Sequence, residues 1–152
     1  MIGGIILNGF NFNLQKVLDV RSIQEDMAQN EFLQARQRKQ EMEEQLQQMN
    51  QTQKQIYNYL RKDAESSVEK TIQARQFLQR HKQKINMQRD QLQAQHQKVE
   101  SKQEELVEKK KKRQVLERLQ EKEYKEFNEE FLQSQQKLLD EMGQRIQQKV
   151  RE

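Results

Sequence analysis

Between Gly9 and Gly143 the chain has 133 consecutive residues without a glycine or a proline. These two residue types are the strongest local breakers of regular structure. The interval is instead filled with Gln, Glu, Lys, Arg and Leu, all good helix formers. Long helices are the only secondary structure that suits such a stretch. The composition then limits how they can pack. Only 32% of the 152 residues are hydrophobic, while 34% are charged and 30 are Gln. Ordinary globular chains carry about 45–50% apolar and about 25% charged residues. A thick multilayer core is therefore excluded, and a narrow seam between helices is what remains.

A seam is visible in the first half. Leu14, Leu18, Arg21, Glu25, Ala28, Phe32, Ala35, Lys39, Met42, Leu46, Met49, Gln53, Ile56 and Leu60 follow one another at alternating spacings of four and three. Ten of the fourteen are apolar. This is a coiled-coil heptad track with four polar interruptions. Asn13 is placed to cap the helix, with Phe12 before it as a hydrophobic staple on Val17. After Leu60 the track stops. Ser66 and Glu69 then form a Ser-x-x-Glu capping box for a new helix. In the second half Leu78, Ile85, Leu92, Val99 and Leu106 recur every seven residues. Their companion positions, Ala74, His81, Gln88, Gln95 and Lys102, are poor seam residues, which predicts a thin and weakly specified interface. A strict seven-residue repeat predicts left-handed supercoiling.

The expected architecture is all-α: a long antiparallel two-helix coiled coil, or helical hairpin, with the second helix longer than the first. Its parts are a flexible leader at 1–12, a first helix at 13–62, a turn at 63–67 and a second helix at 68–150. At 1.5 Å per residue the first helix spans roughly 75 Å and the second roughly 125 Å. Folding them back places Leu14 opposite the region of residue 115 and leaves 116–150 beyond the first helix. That overhang carries Leu116, Leu119, Tyr124, Phe127, Phe131, Leu138, Met142 and Ile146. An apolar stripe of this size calls for cover. A partner protein, self-association or the N-terminal dozen residues could each supply it.

Chemistry is excluded more firmly than it is suggested. There is no Cys, so no disulfide, cysteine metal site or thiol nucleophile. The absence of Cys also suits a reducing compartment. His81 and His96 are fifteen apart and cannot form an i, i+4 metal pair. Carboxylates are plentiful, as at Glu43 and Glu129, but a solvated helix gives them no concave, dry setting. No Gly-rich phosphate loop is present. The expectation is a chain that is not an enzyme, with no cofactor, no metal and no small-molecule substrate. With 28 basic and 24 acidic residues the net charge is only +4, so nucleic acid is not indicated as a partner. The opening MIGGIILNG has too short an apolar run to span a membrane and lacks a basic flank and cleavage pattern, and is expected to be a leader or an upstream start. The chain is expected to be soluble, or peripheral to a membrane at most.

One charged run stands apart. Lys109, Lys110, Lys111, Lys112 and Arg113 wrap a whole helical turn, with Glu104, Glu105 and Glu108 before them and Glu117 after. They are either a locally balanced solvated run or a collar that docks on an acidic surface.

Several segments resemble a known family. FNFNLQKVLDVRS at 10–22 is similar to the N-terminal signature of the flagellar export protein FliJ. VEKKKKRQVLERLQEKEYKEF at 107–127 resembles the family's C-terminal block of basic residues, a Leu-Glu-x-Leu core and a Glu-Lys pair. LLDEMGQRI at 138–146 is also similar. The resemblance runs over 10–146, and residues 1–8 precede the family's usual beginning. It implies a cytoplasmic, peripheral component of the flagellar type III export apparatus at the flagellar base. Such a protein would be an antiparallel coiled coil similar to the gamma stalk of rotary ATPases, without a catalytic site. Its terminal end would insert in the hexameric export ATPase and its body would reach the membrane export gate, and some members hold export chaperones. Carried onto this sequence, the ring-binding residues would be Leu14, Val17, Leu18, Lys109, Lys110, Lys111, Lys112, Arg113, Leu116, Leu119, Tyr124, Phe127 and Phe131. The gate-binding residues would be Gln45 and Phe77, although His81 and Lys84 stand nearby where the family has apolar residues. The alternatives are a self-associating structural coiled coil, a basic helical binder of nucleic acid or membrane surfaces, and the equivalent stalk of a virulence injectisome.

Overall fold

The chain forms two α-helices, α1 at Gln15–Lys62 and the longer α2 at Val68–Arg151, packed as an antiparallel hairpin. The computed structural model describes residues 9–62 and 67–151. Residues 1–8 of the leader expected at 1–12, and residues 63–66 of the turn expected at 63–67, Ser66 included, lie outside them. No strand occurs among the described residues.

Both helix starts fall slightly later than the capping patterns suggest. The Gln15 N–H donates to the Phe12 carbonyl at 3.0 Å, and the Leu18 N–H makes the first helical bond, to Leu14, at 2.9 Å. Leu14 therefore holds the N-cap position, one residue after Asn13, because a turn closed by Phe12 precedes the helix. Phe12 is buried at 4% exposure and Val17 is exposed at 42%. In α2 the Thr71 N–H reaches the Ser67 carbonyl, and the Ser67 hydroxyl accepts from the Lys70 N–H at 3.4 Å. Ser67 is the cap. Glu69 then sits in the first turn, where its charge complements the helix N-terminus.

By their internal packing the residues divide into two units. One is Asp26–Glu108, and the other combines Met1–Glu25 with Lys109–Glu152.

In the 26–108 unit both heptad tracks are the packed faces. Every track residue of α1 from Ala28 to Leu60 is buried or half-buried, and so is every one of α2 from Ala74 to Leu106. Ala28, Ala35, Leu78 and Ile85 are its most buried apolar residues, with Ile85 only 2% exposed. The polar companions do more than interrupt. His81 donates its Nε2–H to the Met49 carbonyl at 2.7 Å. Gln88 Nε2 donates to the Met42 carbonyl at 3.3 Å, and Gln95 Nε2 to the Ala35 carbonyl at 2.9 Å. Donors seven apart on α2 thus meet acceptors seven apart on α1. Helix carbonyls keep a second lone pair free for such a bond. Each bond contributes about 0.5–1.5 kcal/mol net, and an unmade one would leave a buried polar group unpaired. The thin seam is therefore specified in register by its polar residues, against the expectation of weak specification. Lys102 continues the row by ion pairs with Glu31 at 2.7 Å and Glu105 at 2.8 Å. The hydrogen bond from Lys102 holds the Glu31 carboxyl below its usual range. A carboxyl lowered on folding adds stability above its ordinary titration range and loses it on acidification, so this pair contributes at neutral pH and lapses in acid.

Candidate functional site

The unit built from both ends of the chain holds most of the residues expected to bind a partner. Leu18 and Phe12 are buried, at 9% and 4% exposure. Leu14 and Val17 are exposed. Beyond them Gln120 Nε2 donates to Gln15 Oε1 at 2.8 Å. Phe10, five residues before α1, sets its ring edge-on to Tyr124 with centroids 5.4 Å apart, and lies 5.6 Å from Phe127. Gly9 before it adopts φ of 83°, a left-handed conformation that suits a residue without Cβ.

These contacts correct the expected overhang. Leu14 was placed opposite residue 115, with 116–150 left unpaired. Instead Gln15 reaches Gln120, and the N-terminal segment runs on along α2 to Phe127. Leu116, Leu119, Tyr124 and Phe127 are consequently half-buried. Of the three covers the sequence allows, the N-terminal dozen residues supply this part, through Phe10 on Tyr124 and Phe127. The exposed part of the stripe begins at Phe131, which is 39% exposed. From there Leu132, Leu138, Leu139, Met142 and Ile146 are all more than half exposed. With 3.6 residues per turn these positions fall within about a third of the helix circumference, on one side of α2. Leu132 and Leu139 are absent from the stripe read in the sequence, though with Ile146 they recur every seven residues.

The basic run splits in two. Arg113 is tied down inside the unit: its guanidinium bonds Glu25 through Nε and Nη2 and Glu117 through Nη1. Those carboxylates, Glu25 first, push the Arg113 pKa above its ordinary value. Lys109 is half-buried, and Lys110, Lys111 and Lys112 are exposed. The collar therefore presents lysines rather than its arginine. Glu25 reads in sequence as a defect of the heptad track, and its role as the Arg113 acceptor emerges only from the antiparallel pairing.

In the 26–108 unit, Gln45 and Phe77 each adjoin the polar row. Gln45 accepts a hydrogen bond from Gln88 at 3.2 Å. Phe77 stacks on His81 with centroids 5.3 Å apart and an interplanar angle of 18°. Both remain exposed. Two grooves beside Leu92, one with Leu46 and Asn50 and one with Arg89 and His96, lie open at the surface. Among the described residues no group of His, Asp or Glu could hold a metal ion. No described helix is long and apolar enough to cross a membrane.

Comparison with known proteins decides the family. The flagellar FliJ protein family matches residues 10–152, nearly the whole chain. The chain belongs to the FliJ family. FliJ proteins are components of flagellar type III protein export, and the hairpin fold suits that assignment. A similar solved structure is that of a YscO homolog from Chlamydia trachomatis. It is 19% identical, with a TM-score of 0.67 over 91% of this chain and 96% of that one. At that identity the likeness concerns the fold. No curated protein matches the chain significantly in sequence.

Proposed function

We propose that this FliJ-family chain is the central stalk of the hexameric flagellar export ATPase and couples it to the membrane export gate. It acts without catalysis or cofactor, from the cytoplasmic face of the membrane at the flagellar base, and export chaperones are further partners. The observation that carries the reading is the uncovered apolar face from Phe131 to Ile146, in the same unit as the lysine collar. A helix with such a face suits a groove or a ring interior lined by apolar and acidic side chains. Leu14, Val17 and the exposed lysines Lys110, Lys111 and Lys112 would add to this contact. Leu18 and Arg113 would support it from within, since the first is buried and the second is paired with Glu25. Tyr124 and Phe127 join it only as far as Phe10 leaves them accessible. Gln45 and Phe77 would meet the gate, held in place by Gln88 and His81.

The mechanism follows from unequal contacts. An asymmetric apolar and basic end favours one arrangement of a six-fold ring over the others, by as much as its contacts differ between them. The chain then passes that bias to the gate. The test is assembly and hydrolysis by the export ATPase of the same genome, with and without this chain. Stimulated ring assembly is expected. Phe131→Ala should weaken binding more than Phe127→Ala, because Phe10 already covers Phe127, and helical content should stay constant in both. Unchanged ATPase binding in the double variant would remove these rings from the mechanism.

A further inference from the structure

Charge is unevenly spread along the chain. Residues 50–93, the turn end of the hairpin, carry nine Lys and Arg against four Asp and Glu. That is +5, more than the +4 of the whole chain, so the other 19 basic and 20 acidic residues sum to −1. Part of this charge forms a stripe on one side of the 26–108 unit. Arg75, Lys82 and Arg89 each stand one residue after a packed position of α2, at Ala74, His81 and Gln88, so they flank the seam on the same side. Val68 and Ile72 extend the row towards the start of α2 at spacings of three and four. On α1, Lys54, Tyr57 and Arg61 likewise follow Gln53, Ile56 and Leu60. The two rows share a side: Lys54 lines one groove with Glu43 and Leu92, and Glu43 and Leu92 line the next with Arg89. Gln45 and Phe77 lie on the other side, since each stands one residue before a packed position, at Leu46 and Leu78. All eight residues of the stripe are exposed. Among the described residues none of its five cations has an ion pair or hydrogen bond, whereas Lys102 and Arg113 are each held by two carboxylates. Glu69 and Asp90 lie on the outer face of α2, away from the seam. Glu43 stands at the far end of the stripe, 3.6 Å from Lys39.

We propose that this stripe lies against an anionic lipid surface, with Tyr57, Val68 and Ile72 entering the headgroup layer and the five cations meeting its phosphates. The charges run roughly 30 Å along α2 and do not converge on a pocket. A flat surface dense in anions, with an apolar layer beneath it, meets every residue of the stripe at once. Lys and Arg stems are long enough to keep their heads among phosphates while shorter apolar side chains sit deeper. Tyr is favoured at that boundary, where its ring is apolar and its hydroxyl stays wet. The exposed aliphatic pair, Val68 at 76% and Ile72 at 51%, argues against nucleic acid, whose phosphate backbone gives such side chains no partner. An acidic protein helix would need an apolar seam along the whole stripe. Here the apolar residues gather at the turn end, and Gln79 and Asn86 fill the row between the cations.

This inference goes beyond the stalk reading and stands without it, because its test contains neither ATPase nor gate. The full chain is floated with vesicles of equal parts phosphatidylglycerol and phosphatidylcholine, and with phosphatidylcholine alone. It should bind the first, less so as salt is raised, and not the second. Changing Arg75, Lys82 and Arg89 together to Gln should weaken binding about 100-fold, about fivefold per cation. Changing Lys70, Arg80 and Lys84 to Gln removes the same charge from the other side of the seam. It should cost less than about tenfold, because a helix diameter of roughly 10 Å is about one Debye length. All six positions are exposed and Gln is a good helix former, so circular dichroism should show unchanged helix. The chain has no Trp, so a single introduced one reports its own surroundings. Lipids with brominated acyl chains should quench Tyr57→Trp and leave Met87→Trp, on the other side, unquenched. No binding to the anionic vesicles would overturn the inference, and binding of polyglutamate in their place would give the stripe to an acidic protein. Equal losses from the two triple variants, or quenching at 87 and not at 57, would also overturn it.

Discussion

Exchanging Leu139 and Met142 for Asp should reduce binding to the export ATPase at least about 100-fold, while the unfolding temperature and helical content stay close to those of the parent. Each side chain is more than half exposed, at 62% and 54%, so the folded chain alone loses little. Buried in a partner, each would contribute about 1.5–3 kcal/mol. Every 1.4 kcal/mol is tenfold in affinity, and the new carboxylates add a desolvation cost. Calorimetry or surface binding with purified ATPase reads the loss, and circular dichroism reads the helix. Affinity retained with both aspartates in place would mean that the tail stripe lies outside the ATPase contact.

The second large effect is on stability. Ile85→Ala should cost about 2–4 kcal/mol, read as a lower midpoint in urea by circular dichroism. Ile85 is 2% exposed in a seam one side chain thick, so no second layer can close over the cavity. Whole-domain stabilities are only about 5–15 kcal/mol, and the loss is a large part of that. Val115→Ala, at a position 65% exposed, should move the midpoint little. Similar losses at both positions would show that the seam around Ile85 is not the chief source of stability.

Much of this fold is legible in the heptad spacing. The α1 track is packed along its length except at Leu14, and the Leu78, Ile85, Leu92, Val99 and Leu106 row is its counterpart. What an apolar–polar pattern hides is a polar residue whose partner is backbone. His81, Gln88 and Gln95 count as interruptions in such a pattern, yet they bond carbonyls of Met49, Met42 and Ala35 and set the register. Backbone acceptors have no sequence signature. Glu25 and Arg113 are hidden for a related reason, since they lie 88 residues apart and meet only once the pairing is known. The candidate site was legible in its chemistry and less so in its limits. The apolar stripe and the basic run stand out in sequence. Which part of each is left exposed depends on Phe10 and Phe12, short of any helix, and on one carboxylate pair around Arg113. The resemblance at 10–22 and 107–127 points to the family that the match over 10–152 shows.

The central claim is that the terminal unit, and not the 26–108 unit, enters the ATPase ring. Single photo-crosslinking residues at 111, 139 and 93, each in an otherwise unchanged chain assembled with the ATPase, test it most directly. The account predicts cross-links to ATPase subunits from 111 and 139 and none from 93. Cross-links from 93 alone, or none from 139 in a complex that still forms, would contradict it.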